Sequence, residues 1–340
     1  MLDGVRTTRT ARRTATLPAA IALALVLALA PAGCSGAAPT APGTATGGRS
    51  VGPTGSATAG PPHTSTPHTS TPGTALPTAD PATDRAFAAL EQQYGARLGV
   101  VAIDTADGRA LGYRADERFA FASTNKAFIA AAVLDASSTA DLDTVVHYDR
   151  GDLLDHAPVT HANVDRGLTV RALVDAAVRE SDNTAANLLV ERLGGVGGVQ
   201  RWLRGVGDDV TRVDRLEPGL NTAVPRDPRD TTTPAQSATD LRQVLVGDAL
   251  DPADRELLRS TMAGTTTGDG TIRAGVPGGW SVADKTGTAS YGVRNDIALV
   301  RPPGRDPVVL VVFTTGDRPD AEPSDALVAA ATRVAVQRVG

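Results

Sequence analysis

The chain has 340 residues, and 33 Lys and Arg against 38 Asp and Glu give a formal net charge of -5, which excludes the basic footprint of a nucleic-acid partner. With 41% apolar and 21% charged residues it is not a wholly disordered chain. Its single cysteine, Cys34, excludes an intramolecular disulfide and any Cys-rich zinc or iron–sulfur site.

Residues 1–34 read as an export signal, because Arg6, Arg9, Arg12 and Arg13 precede an apolar run from Ala19 to Ala30 and small residues follow. That run is about 12 residues, well short of the roughly 20 a permanent membrane span needs. Ala30-Pro31-Ala32 fits a small-x-small cleavage site, while Ala32-Gly33-Cys34 resembles a bacterial lipobox, with Pro31 where that motif usually has Leu. Lipidation of Cys34 is the expectation, since it accounts for a lone thiol in an exported chain. It implies a membrane tether on the outer face of the cell membrane, with secretion as the alternative. Arg12-Arg13 also permits the twin-arginine export route. Residues 35–80 are rich in Thr, Pro, Gly, Ala and Ser, with HTSTP in tandem from His63 to Pro72. Such a stretch buries too little apolar surface to offset its backbone entropy, so a disordered spacer is expected.

Residues 81–340 carry the foldable sequence, with a net charge of -8. Asp84 to Tyr94 has helical periodicity, and Leu98–Asp104 and Ala110–Arg114 flank an Asp107-Gly108 turn as two strands of a hairpin. Helices follow over Thr124–Ala136, Thr169–Glu180, Thr184–Leu193, Pro234–Val246 and Asp251–Met262. Strand character returns at Trp280–Gly287, Asp296–Val300 and Pro307–Thr315, before an amphipathic helix from Ser324 to Val339. Short connections between the late strands favour antiparallel pairing. The expected class is α/β in the α+β arrangement. An antiparallel five-stranded sheet is built from both chain ends and flanked by helices, with an all-helical domain inserted over about 123–275.

Three short motifs carry chemistry. Ser123-Thr124-Asn125-Lys126 opens the first long helix, and a spacing of three places the Ser and Lys side chains on one face. A serine needs a base to become a nucleophile; a lysine of depressed pKa can serve, whereas arginine cannot. Ser181-Asp182-Asn183 follows between helices, and Lys285-Thr286-Gly287 lies on the first late strand. Alone, the first reads more readily as a Ser N-cap followed by a surface lysine, the second as common loop chemistry and the third as an ordinary strand end. Together they account for the only two lysines among 33 cations.

That combination resembles the signature of class A serine β-lactamases, from about Pro81 to the C-terminus. RLEPGLN, from Arg215 to Asn221, resembles the family's Glu-containing Ω loop. The resemblance implies hydrolysis of penicillins and cephalosporins through a serine acyl-enzyme, no cofactor or metal, a monomer, and an active site between sheet and helical part. It implies Ser123 as nucleophile, Lys126 as proton acceptor or relay, Ser181 as proton donor to the leaving nitrogen, and Glu217 with Asn221 as activator of the hydrolytic water. Lys126 and Glu217 both stay open as the acylation base. The Ser123 and Thr288 backbone N–H groups would form the oxyanion hole. Asn183 would meet the substrate's side-chain amide, and Lys285, Thr286, Gly287, Thr288 and Arg294 would surround its carboxylate. His156 stands either at the mouth of the site or as an exposed loop histidine. An Arg215–Asp230 ion pair is expected to close the neck of the loop.

Ala122 and Ala289 stand where some carbapenem-hydrolysing relatives have a disulfide, which disfavours that type. Thr288 and Asn295–Ile297 resemble members that handle cephalosporins as well as penicillins. The rivals are a penicillin-binding peptidase or sensor without fast deacylation, and a non-catalytic envelope lipoprotein. A metal-dependent lactamase is disfavoured, since His147, His156 and His161 form no His-x-His-x-Asp cluster.

Overall fold

The computed structural model describes residues 81–339; the signal, the spacer and Cys34 lie outside the described residues. Helix α1 (Pro81–Tyr94) is followed by β1 (Arg97–Asp104), β2 (Ala110–Tyr113) and the short β3 (Phe119–Ala120). Then come α2 (Lys126–Asp135), α3 (Thr139–Leu142), β4 (Val145–Val146), α4 (Pro158–Asn163), β5 (Leu168–Thr169), α5 (Val170–Arg179), α6 (Asn183–Arg192) and α7 (Val196–Gly205). Strand β6 (Thr231–Thr232) leads to α8 (Pro234–Leu245), α9 (Pro252–Ala263) and α10 (Ile272–Gly275). Strands β7 (Ser281–Ala289), β8 (Val293–Arg301) and β9 (Val308–Thr315) precede the final α11 (Asp325–Val339).

The five long strands form one antiparallel sheet in the order β2-β1-β9-β8-β7, so the first and last strands of the sequence pair directly, with Val101 opposite Val311. The expected architecture holds. Strands β1 and β9 are apolar at nearly every position because both faces of the sheet are covered. Leu98, Val100, Ala102, Leu310 and Val312 pack on one side with Phe87 of α1 and Val328 and Ala335 of α11. Val101, Ile103, Val309, Val311 and Phe313 pack on the other with α2, α5, α6 and α8. Each fully buried Val, Leu or Phe contributes about 1.5–3 kcal/mol relative to exposure.

Helix α2 is the axis of the insert: Lys126 to Leu134 are all buried, and its run of alanines lets neighbouring helices approach on every side. Caps set the other starts. Thr169, Asp182 and Thr233 each accept a hydrogen bond from the backbone N–H three residues on, and Pro234 occupies the first turn of α8.

Four features differ from the sequence reading. The insert is not all-helical, because β4 pairs with β5, and β6 pairs with β3. Helix α8 packs against β1, β8 and β9, so part of the supposed insert covers the sheet. Helix α1 begins at Pro81, since proline suits a first helical turn. Helix α7 went unread because Gly197 and Gly198 argue against a helix. A Cβ on Gly198 would lie 1.8 Å from the carbonyl oxygen of Leu193, so packing demands the glycine there.

Candidate active site

Ser123 lies not in the α-helix proper but in a 3-10 turn, Ala122–Asn125, that feeds α2. The turn is held from both sides. Ala122 has a φ of 49°, a left-handed value that costs a non-glycine residue about 1–3 kcal/mol, and the buried Asn295 amide ties it down by donating to the carbonyls of Ala120 (2.7 Å) and Phe121 (3.4 Å). Gly287 brings β7 close. A Cβ there would stand 3.0 Å from the Phe121 oxygen and 3.1 Å from the Ser123 nitrogen. Because β7 ends the sheet, N–H groups on its outer edge have no strand partner beside Ser123.

Around Ser123 the expected side chains converge. Ser123 Oγ donates to Glu217 Oε1 at 3.2 Å, and Lys126 Nζ meets the same oxygen at 3.0 Å. Lys126 Nζ also donates to Asn183 Oδ1 (2.6 Å), the Ser181 carbonyl (2.8 Å) and Ser181 Oγ (3.4 Å). Lys285 Nζ donates to Ser181 Oγ at 3.0 Å and to the Thr286 carbonyl at 2.7 Å. One hydroxyl therefore bridges two ammonium groups. Lys126 and Lys285 are 2% and 0% exposed. Burial holds the Lys126 pKa below its ordinary value, opposed by the Glu217 and Asp182 charges. Burial and then repulsion from Lys126 push Lys285 down to about 7.

The Ser181-Asp182-Asn183 segment owes its shape to its middle residue. Asp182 caps α6 through Ala185 N and accepts from Val159 N, Thr160 N and the Thr160 hydroxyl, anchoring α4. Ser181, at a φ of 56°, is thereby turned toward the lysines. Asn183 Nδ2 donates to the Asp155 carbonyl (3.0 Å), and Asn183 N donates to the His156 carbonyl (3.0 Å). His156 is exposed and joins the cluster only through that carbonyl.

Glu217 rides on a loop pinned at several points. Asn221 Nδ2 donates to Glu217 Oε2 (2.5 Å), while Asn221 Oδ1 is buried without a protein partner. Asn187 of α6, which sequence reasoning missed, grips the Glu217 backbone twice: Glu217 N donates to Asn187 Oδ1 (3.0 Å), and Asn187 Nδ2 donates to Glu217 O (2.9 Å). The expected neck ion pair is present, with Arg215 Nε on Asp230 Oδ2 at 2.5 Å, and Asp230 Oδ1 also accepts from the backbone of Asp214 and Arg215. In Asp230→Asn an amide N–H must face one of these donors. The expected outcome is faster proteolysis inside 215–230 and a several-fold change in the cephalosporin-to-penicillin kcat/KM ratio. Global stability should fall by only about 1–3 kcal/mol. An unchanged ratio with unchanged cleavage would count against the neck.

On the β7 side, Thr286 Oγ1 lies 2.6 Å from Thr267 Oγ1, and Thr288 is exposed. Arg294 reaches Thr288 Oγ1 through Nη1 (3.2 Å) and the Thr267 carbonyl through Nη2 (3.0 Å), while its Nε pairs with Asp325. The guanidinium thus borders the exposed end of the lysine strand, half neutralised by Asp325. Asn295 and Asp296 are both fully buried, and Asp296 accepts from the Thr271 hydroxyl and Ile272 N. Their resemblance to cephalosporin-handling members reflects packing, not substrate contact.

A family model described as the β-lactamase enzyme family matches residues 82–339. The chain belongs to this family. It is 53% identical over 261 residues to a β-lactamase of Amycolatopsis lactamdurans, covering 77% of this chain and 86% of that one. A β-lactamase of Streptomyces cacaoi is 51% identical, with 74% and 82% covered. Among solved structures, the class A β-lactamase of Clostridium kluyveri superposes with a TM-score of 0.75 at 45% identity, covering 76% of this chain and 99% of that one. A β-lactamase of Desulfarculus baarsii does so with the same TM-score and identity and 97% of its length. The matched region leaves out the N-terminal 81 residues, in line with the family sequence beginning at α1.

Proposed function

We propose that this member of the family opens penicillins and cephalosporins at the β-lactam amide by the residue roles set out below. β-Lactam hydrolysis by a class A serine enzyme, and the antibiotic resistance that follows from it, is the function; the roles and the substrate range are our reading of the site. The observation that carries it is the continuous buried chain of contacts from Ser123 through Glu217 and Lys126 to Ser181 and Lys285.

Lys126 or Glu217 takes the Ser123 Oγ proton as that oxygen attacks the lactam carbonyl; both reach it directly or through one shared oxygen. The oxyanion is met by the backbone N–H groups of Ser123 and Thr288, and one such donor accounts for about 10²–10³ in rate. Ser181 passes its proton to the departing nitrogen and is refilled from Lys126 or Lys285. For deacylation, Glu217 takes a proton from a water that also donates to Asn221 Oδ1, the free acceptor beside it. The substrate carboxylate lies among Lys285, Thr286, Thr288 and Arg294, whose planar fork suits it. Asn183 and His156 border the side-chain end.

Steady-state nitrocefin hydrolysis is the measurement that separates this reading from a penicillin-binding sensor. Sustained turnover that is absent in Ser123→Ala is the expected result; a single stoichiometric burst from the wild type would overturn the reading. Export, and a tether at a lipidated Cys34, belong to the same proposal, supported by the Arg-rich start, the short apolar run and the lone cysteine. Cys34→Ser is expected to move the protein from the membrane fraction to the medium, and an unchanged distribution would argue against the tether. The enzyme is expected to run as a monomer in light scattering.

A further inference from the structure

Behind the Lys126–Glu217 pair, with none of Ser123, Ser181 and Lys285 in its lining, is a cavity of about 10 Å³, room for one water molecule. Ile129, Val190, Val213 and Leu220 supply hydrocarbon walls, and the polar residues of the lining are Asn125, Lys126, Asn187, Arg215 and Glu217. Asn125 is the anomaly. It stands at the N-cap of α2 yet makes no capping bond, it is 3% exposed, and neither Nδ2 nor Oδ1 has a partner in the protein. Leaving a buried amide unpaired is costly, and hydrocarbon would pack those walls better than an amide does. A water in the cavity resolves both points: it pairs with the amide and lies against the buried charges of Lys126 and Glu217.

We propose that Asn125 is a positioning residue that holds an internal water behind Lys126 and Glu217, and that this water keeps the pair in its ionised form. In a fully dry surrounding the proton passes from Lys126 Nζ to Glu217 Oε1, since a neutral pair costs less to bury than two charges. The other charges around the pair are Asp182 at the α6 cap, Lys285 on β7 and Arg215 on the loop, the last neutralised by Asp230. A neutral Lys126 still serves acylation, but a protonated Glu217 cannot activate water. Drying the cavity therefore slows one half-reaction and spares the other.

The inference rests on the acyl-enzyme reading above, and the test separates the two. Asn125→Leu is expected to raise Tm by about 2–6 °C by filling the space. In that variant kcat and KM for benzylpenicillin should fall together by about tenfold with kcat/KM held within about twofold, the pattern of slowed deacylation. Its infrared spectrum should gain a carboxylic-acid band that Glu217→Gln abolishes. Asn125→Ser, polar and small enough to admit a water, should restore wild-type kcat. If leucine prevents folding, Asn125→Val makes the same comparison. A wild-type crystal structure should show the water within hydrogen-bond distance of the Asn125 amide. A dry cavity, or a filled variant with wild-type kcat, overturns the proposal. No turnover by the wild type would instead sink the acyl-enzyme reading, leaving the crystallographic water and the Tm shift to be judged separately.

Discussion

Glu217→Gln is expected to stop the enzyme half-way: penicillin should acylate Ser123 at near wild-type rate and stay attached, with deacylation down by about 10²–10⁴. The geometry gives the reason. Glu217 is the carboxylate that meets Ser123 Oγ, and Asn221 aligns its second oxygen while its own Oδ1 has no protein partner. An amide at this place keeps the shape but accepts no proton. Removing the charge also withdraws what opposes the burial-driven lowering of the Lys126 pKa, which leaves Lys126 able to take the serine proton. Intact-mass spectrometry after mixing with benzylpenicillin should show the protein plus one opened drug molecule, mapped to Ser123. Wild-type turnover in the variant would remove Glu217 from the chemistry, and loss of acylation as well would make it the base for both steps.

The second large effect is expected from the lysines. Lys126→Arg should cost acylation about 10²–10⁴, because a guanidinium does not titrate in this range and its plane does not fit where one Nζ meets Ser181, Asn183 and Glu217. A preserved Tm and a slow single-turnover acylation are the readouts. For Lys285 the pH dependence is the diagnostic. Its ammonium, needed for the substrate carboxylate, titrates at about 7 in the free enzyme, charged below and neutral above. The kcat/KM profile should therefore fall on its alkaline side near that pH. Lys285→Arg should lower the neutral-pH value yet abolish that alkaline fall, since arginine keeps its charge. An alkaline limb that survives the substitution would assign it to another group.

How much of this was legible depends on what each residue needs. Ser123, Lys126, Ser181, Glu217 and Lys285 could be read from the sequence because their chemistry tolerates few substitutes and the first pair sits at helical spacing. The sheet was legible for a related reason: runs such as PVVLVVFTT have no polar alternation, which marks strands covered on both faces. Asn187, Thr267 and the tie that Asn295 makes to the Ser123 turn were not legible. Each acts by bonding a backbone or hydroxyl far away in sequence, and an isolated Asn or Thr carries no local mark of a distant partner. Asn125 escaped attention too, standing inside a motif whose other members drew all the interest.

The sequence by itself determined the set of candidate reactive groups, the two chain ends that form the sheet and the helices between them, since residue chemistry and hydrophobic period are local properties. Only the tertiary structure decided that one hydroxyl, Ser181 Oγ, joins both lysines, that Ser123 begins in a strained turn rather than a regular helix, and that Asn295 and Asp296 are buried in the fold. Those facts depend on distances between segments 55 to 175 residues apart, such as Lys126 to Ser181 and Ala120 to Asn295. Packing sets such distances, and spacing along the chain does not.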